Sequence, residues 1–326
     1  MNKAVNRLAL IGYGNVGRAL VRLLRQQHAK FPFRITGIHT ARHGTAVSVR
    51  GLPPDPQFAP AVASIDEFLD AAQADIAVEL TTLNPATGEP AISHIRAAFA
   101  RRMHVVTANK GPIAHAYADL RDMAARQGVR FRFESTVMDG APVFNLARHN
   151  LPGTTVLGFT GALNSTSKLV IETMERGGSF DDGLALARSL GVTEADSSFD
   201  VDGWDSAAKA AALANVLMDA RTTPQAVSTR GIARLTPERV AELSRAGKTV
   251  RLISRARRGV GGIALRVRAE VLEKTDVLAC VGGTSNILLL HTDLMGTIGT
   301  VSISPGVEQT AYGVFADLVD VLRGSS

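Results

Sequence analysis

R-L-A-L-I-G-Y-G-N-V-G-R-A-L-V-R-L-L-R-Q-Q (7–27) decides the fold. Its first residues form a near-continuous apolar run, the pattern of a strand buried on both faces. The glycine turn G-Y-G-N-V-G (12–17) follows, and apolar residues then recur at helical spacing. Strand, glycine turn and helix in that order are the context a dinucleotide fingerprint requires. Gly12 permits the tight turn, Gly14 lets a pyrophosphate approach the backbone, and Gly17 allows the helix to pack closely. Asn15 and Val16 belong to the same turn, where the helix N-terminus attracts an anion.

Further strands are expected at 34–40, 75–82, 103–107 and 129–134, with helices at 90–102 and 117–128 between them. This alternation predicts α/β architecture, a Rossmann-type doubly wound parallel sheet. After residue 142 the character changes. Strands are expected at 156–163, 247–255, 262–272, 285–292 and 297–303, and helices at 166–176, 180–190 and 204–219. They suggest an α+β substrate and dimerisation domain with a mixed sheet. We expect a dinucleotide-binding domain over 1–142, completed by 305–326 with a last amphipathic helix at 308–323, and a second domain over 143–304.

At 326 residues the chain is long enough for two domains. No run of 18 apolar residues exists, so no membrane span is expected. The first residues read as a buried strand rather than a signal peptide. The single Cys280 rules out an internal disulfide and suits a reducing, cytoplasmic setting. Its apolar surroundings, V-L-A-C-V (277–281), predict an inert buried thiol. The net charge is +6. The densest basic stretch, R-L-I-S-R-A-R-R (251–258), lacks interleaved aromatics and reads as a solvated edge, so no nucleic-acid partner is expected. Basic charge also suits an anionic cofactor and substrate.

The second strand ends H-T-A-R-H-G (39–44). An NAD-selective site usually places an acidic residue there for the ribose hydroxyls. Thr40, Arg42 and His43 stand in its place, which points to NADP, with NAD possible. T-A-N-K-G-P (107–112) puts Lys110 at the carboxyl end of the sheet, the edge where such sheets bind ligands. G-V-T-E-A-D-S-S-F-D-V-D-G-W-D-S-A-A-K (191–209) carries five carboxylates and ends in a lysine. Asp205 and Lys209 lie one helical turn apart at the start of an apolar helix. That is an arrangement for a proton donor. The turn-rich E-S-T-V-M-D-G-A-P (134–142) offers oxygens for a monovalent cation, or forms a hinge.

Together, G-Y-G-N-V-G (12–17), D-I-A-V-E-L-T (75–81), H-V-V-T-A-N-K-G-P (104–112), E-S-T-V-M-D-G-A-P (134–142), G-A-L-N-S-T-S (161–167), E-A-D-S-S-F-D-V-D-G-W-D-S-A-A-K (194–209) and P-G-V-E-Q-T-A (305–311) resemble homoserine dehydrogenases over nearly the whole chain. The resemblance implies an oxidoreductase of threonine and methionine biosynthesis that reversibly reduces aspartate 4-semialdehyde to homoserine. It implies Lys209 as general acid/base, Asp205 orienting it, and Lys110 holding substrate or assisting proton transfer. Substrate contacts fall on Glu194, Asp200, Thr166 and Asn164. Cofactor contacts add Thr81, Asn109, Gly306 and Glu308 to the glycine turn. A Na+ or K+ ion falls to Glu134, Val137, Asp139 and Ala141, and assembly to a homodimer. No C-terminal regulatory domain is expected. The chain departs from the family pattern in N-S-T-S-K (164–168) for N-G-T-T-N, in Val192 for tyrosine, and in S-P-G-V-E (304–308) for G-P-G-A-G. Lys168 offers a second cation for a substrate carboxylate, and with Val192 and Glu308 it favours a paralogous NADP-dependent reductase of another small semialdehyde or hydroxy acid; a silent dinucleotide-binding protein is a third reading, opposed by Lys110, Asp205 and Lys209.

Overall fold

The computed structural model describes residues 6–193 and 197–324. It divides into two compact units, residues 1–142 with 306–326, and residues 143–305.

The first unit runs β1 (Asn6–Ile11), α1 (Asn15–Gln26), β2 (Phe33–Thr40), β3 (Gly44–Val47), α2 (Ile65–Ala72), β4 (Ile76–Glu79), α3 (Ala91–Ala100), β5 (His104–Thr107), α4 (Lys110–Gln127) and β6 (Phe131–Arg132). A C-terminal helix, Val307–Arg323, returns to it. The sheet order is β3-β2-β1-β4-β5-β6, parallel except where β3 turns back antiparallel on β2. The strand order reverses between β2 and β4 around the central β1, which places a ligand crevice at the carboxyl ends of β1 and β4. The core forms where Leu8, Leu10, Ile76, Val78 and Val106 of the sheet meet Leu20 and Leu24 of α1 and Val314 and Leu318 of the C-terminal helix. Each such side chain contributes roughly 1.5–3 kcal/mol on burial. The tail of the chain is thus part of this unit's core.

The second unit contains α5 (Phe144–Asn150), β7 (Val156–Ala162), α6 (Ser165–Glu175), α7 (Phe180–Ser189), α8 (Ser198–Val201), α9 (Trp204–Met218), β8 (Ser228–Arg230), α10 (Pro237–Arg245), β9 (Lys248–Gly259), β10 (Gly262–Glu273), β11 (Asn286–Thr292) and β12 (Thr297–Ser302). Its sheet order is β12-β11-β7-β9-β10-β8, antiparallel apart from the β10–β8 pair. α6, α9 and α10 pack against β9. α9 is rich in alanine, the best helix former, and is buried on nearly all sides.

Two expectations are corrected. The basic stretch 251–258 is a solvated edge only at its end, where Arg257 and Arg258 are exposed; the rest lies inside β9, an inner strand between β7 and β10. Arg251 is buried against Glu172 at 3.6 Å and Glu175 at 4.0 Å, while Arg255 pairs with Glu270 at 2.7 Å. Carboxylates from α6 and β10 let those arginines sit inside. Cys280 is exposed, not buried. Asp276 caps a tight 3-10 turn over Val277–Ala279, which sends Leu278 and Val281 inward and the thiol outward.

Candidate active site

The candidate residues fall into two groups, one in each unit. In the first unit, β1 ends at Gly12, whose φ is +104°; a Cβ there would stand 2.6 Å from the Leu80 carbonyl oxygen. Only glycine satisfies both conditions. Gly14 forms the N-cap of α1 without a side-chain cap, and a Cβ on it would meet nothing within 4 Å. The helix start is therefore uncapped by any side chain, with open space beside Gly14. Gly17 packs 3.1 Å, by its missing Cβ, from the Gly12 carbonyl. Asn15 is exposed and Val16 half-buried beside this turn.

Thr40, Arg42 and His43 occupy the β2–β3 hairpin, a tight turn rather than a loop. The Thr40 hydroxyl accepts the His43 N–H at 2.8 Å and fixes the turn, leaving Arg42 and His43 exposed at its tip. No acidic residue occupies this turn.

A residue the sequence reading passed over organises the neighbouring strand ends. Glu79, at the end of β4, is fully buried. Its carboxylate accepts hydrogen bonds from the Thr81 N–H at 2.9 Å, from the Thr81 hydroxyl, and from the Thr107 hydroxyl at 2.9 Å. Burial pushes the carboxyl up to about 6, against the downward pull of those donors. Thr107 in turn accepts the Asn109 N–H at 2.9 Å, and the Asn109 amide donates to the Thr81 carbonyl at 3.2 Å. Asn109 caps α4 by accepting the Gly111 N–H, so Lys110 is the first residue of that helix. A lone glutamate in D-I-A-V-E-L-T was the available signal: a charge in a strand buried on both faces needs donors.

Residues 134–142 are braced on the C-terminal helix. The Glu134 N–H donates to Asp317 at 2.7 Å, the Ser135 hydroxyl to the Thr310 carbonyl at 2.8 Å, and the Thr310 hydroxyl to Asp139 at 3.3 Å. Glu134 and Val137 are buried, Asp139 and Ala141 half-buried. Gly306 caps the same helix, its N–H donating to Gln309 at 2.9 Å. Glu308 is exposed and pairs with Arg22 of α1 at 3.3 Å.

In the second unit, Asn164 is the hub. It caps α6 by accepting the Ser167 N–H at 2.7 Å, and its amide donates to Asp200 at 2.8 Å and to Asp205 at 3.1 Å. Asp200 also accepts from the Thr166 hydroxyl at 3.0 Å and from Thr193 at 2.8 Å. Asp205 and Lys209 form the anticipated i,i+4 pair at 3.4 Å. Both side chains are largely shielded, at 12% and 15% exposure, which separates the pair from an ordinary surface ion pair. The Lys209 ammonium donates to the Leu163 carbonyl at 2.7 Å. Asn164, Thr166, Asp200, Asp205 and Lys209 are therefore brought together; Glu194 lies outside the described residues. Val192 contributes its carbonyl to Thr166 at 3.4 Å. Lys168 does not project into open space as a substrate anchor. It is fully buried, donating to the Asn164 carbonyl and to Asn286, both at 3.2 Å.

The homoserine dehydrogenase family model matches residues 142–319, and the model for that family's NAD-binding domain matches residues 12–134. The chain belongs to the homoserine dehydrogenase family. Members are oxidoreductases that interconvert aspartate 4-semialdehyde and homoserine with a nicotinamide dinucleotide. The chain is 34% identical to an NAD(+)-dependent homoserine dehydrogenase of Pseudomonas canavaninivorans, covering 98% of this chain and 97% of that one. It is 32% identical to a homoserine dehydrogenase of Methanocaldococcus jannaschii, covering 98% and 99%. Among solved structures, a putative homoserine dehydrogenase of Archaeoglobus fulgidus superposes with a TM-score of 0.85 at 27% identity, covering 98% and 99%. The expected α/β architecture and family are thereby borne out. Among the described residues, no helix is long and apolar enough to cross a membrane.

Proposed function

We propose that this homoserine dehydrogenase homologue reduces L-aspartate 4-semialdehyde with Lys209 as general acid, and uses the same residue as base in the reverse direction. The reading rests on the shielded Asp205–Lys209 pair, held at 3.4 Å with the ammonium donating to the Leu163 carbonyl. The bound dinucleotide supplies hydride chemistry. As the carbonyl carbon gains hydride, its oxygen keeps the electron pair of the former π bond and takes the Lys209 proton. The aldehyde becomes the alcohol, with a reduced dinucleotide held at the Gly12–Gly17 turn as the source that would supply the hydride. Asp205 orients Lys209 and balances its charge. Asp200, held by Asn164, Thr166 and Thr193, receives the substrate ammonium with Glu194, and Lys110 holds substrate or assists proton transfer.

The turn around Gly14 fits a pyrophosphate, because open space stands over an uncapped helix start. Asn15, Val16, Thr81, Asn109, Gly306 and Glu308 complete the cofactor residues. NADP is favoured by Arg42 and His43 at the exposed hairpin tip. NAD is the second reading, favoured by the NAD(+)-dependent name of the Pseudomonas relative. The oxygens of Glu134, Val137, Asp139 and Ala141 are hard donors of the type that suits Na+ or K+, which would brace residues 134–142. The protein works as a cytoplasmic homodimer with no nucleic-acid or membrane partner.

A substrate panel tests this reading. L-homoserine should be oxidised, while 4-hydroxybutyrate and a dicarboxylic hydroxy acid should be much poorer, because a site built to pair an ammonium rejects analogues that leave its carboxylates unpaired. Turnover of either alternative without turnover of homoserine would sink it. Arg42→Ala should weaken NADP(H) more than NAD(H); equal weakening would refute the NADP assignment.

A further inference from the structure

Lys168 has no place in the chemistry above, yet it is the most deeply enclosed charge among the described residues of the second unit, at 1% exposure. It stands where the family pattern has asparagine. Its ammonium finds two neutral acceptors at 3.2 Å, the Asn164 carbonyl and the Asn286 amide oxygen, and among the described residues no carboxylate forms an ion pair with it. Lysines are almost never buried this way without a carboxylate partner. The Asn164 carbonyl directly follows the Leu163 carbonyl that receives the Lys209 ammonium at 2.7 Å. Two lysines from different helices thus grip consecutive carbonyls of one backbone turn. The Asn164 side chain on that turn also holds Asp200 and Asp205.

We propose that Lys168 is a positioning residue for Lys209, fixing the Leu163–Asn164 turn from behind and setting a second positive charge there that promotes release of the Lys209 proton to the substrate oxygen. The inference rests on the assignment of Lys209 as general acid. Among the described residues, Lys209 and Asp205 on α9, Arg251 on β9, Glu172 and Glu175 on α6, and Asp200 on α8 are the charged groups around the two ammonium groups. Burial, with the nearby charges of Lys209 and Arg251, pushes Lys168 down to about 7. Its charge is therefore present below neutrality and lost above it.

The test is the pH profile of kcat for aldehyde reduction by the full chain, from about pH 6 to about pH 9. The wild type should lose up to about tenfold in reductive rate as pH rises through neutrality, the change one unit of proton affinity produces. Lys168→Met should lack that step and run at the lower rate throughout, with KM for the aldehyde little changed. Profiles of the same shape in both proteins, whatever their scale, would overturn the proposal. Lys168→Gln repeats the measurement if the methionine variant does not fold, with the same two outcomes. Lys209→Ala distinguishes the two levels of failure. Near wild-type activity in that variant removes the assignment of Lys209, whereas a crippled variant beside unchanged Lys168 profiles removes this inference alone.

Discussion

Gly12 and Gly14 stand two residues apart in one turn but serve different ends. At Gly12, φ of +104° and the Leu80 carbonyl 2.6 Å from a would-be Cβ make any side chain a structural fault. Gly12→Ala should lower stability by at least about 2 kcal/mol in urea unfolding. Gly14→Ala adds a methyl into open space. It should cost no more than about 1 kcal/mol of stability while raising cofactor KM several-fold; an unchanged KM would remove the phosphate role. Lys168 makes a linkage prediction. Its folded value, about 7, lies below the ordinary 10.5. Between those values the unfolded chain binds more protons, so this residue makes stability rise with pH, by about 1.4 kcal/mol per unit. Lys168→Met should be more stable than wild type near pH 7, and the gap should narrow as pH rises. A gap independent of pH would contradict the buried, unpaired charge.

At the scale of elements, the ends of β4 and β5 are tied by one carboxylate. Glu79→Ala leaves the Thr81 and Thr107 donors without their acceptor and should cost about 1–3 kcal/mol. Glu79→Gln keeps one acceptor oxygen, and should keep the fold while raising cofactor KM; Thr107→Val should reproduce that rise, and an unaltered KM in both would separate this network from binding. This network was the least legible part of the sequence. Periodicity marked every long strand and most long helices because burial on one or both faces writes itself into the pattern. It missed α2, α10 and the short β3, and it marked α4 only from residue 117, where the helix resumes after the non-helical Ala116 (φ −140°). The leading piece carries Gly111 and Pro112, which a first turn tolerates because its N–H groups lack helical partners anyway. The motifs led to Gly12, Asn109, Asp205 and Lys209. Glu79, and the burial of Lys168 and Arg251, depend on donors and carboxylates far along the chain, which no local pattern encodes. Cys280 misled for the same reason: an apolar run folded as a capped turn rather than a strand.

At the scale of the whole molecule, the second unit's sheet leaves Leu157, Val271 and Val301 exposed, with Ile303 just beyond β12. The proposed homodimer would cover these side chains. Light scattering should return about 69 kDa, twice the chain mass of 34.5 kDa, and Val301→Asp should shift the population toward the single chain. A mass near 34.5 kDa for the wild type at micromolar concentration would contradict the dimer.

In the proposed mechanism Lys209 moves the proton while L-homoserine and aspartate 4-semialdehyde interconvert. The initial rate of dinucleotide reduction by L-homoserine, for wild type and Lys209→Ala, with cofactor Kd determined on the same samples, tests this most closely. The wild type should turn over, the variant should show a kcat lower by about 10²–10⁴, and the cofactor Kd should be unchanged. Near wild-type kcat in Lys209→Ala would contradict it.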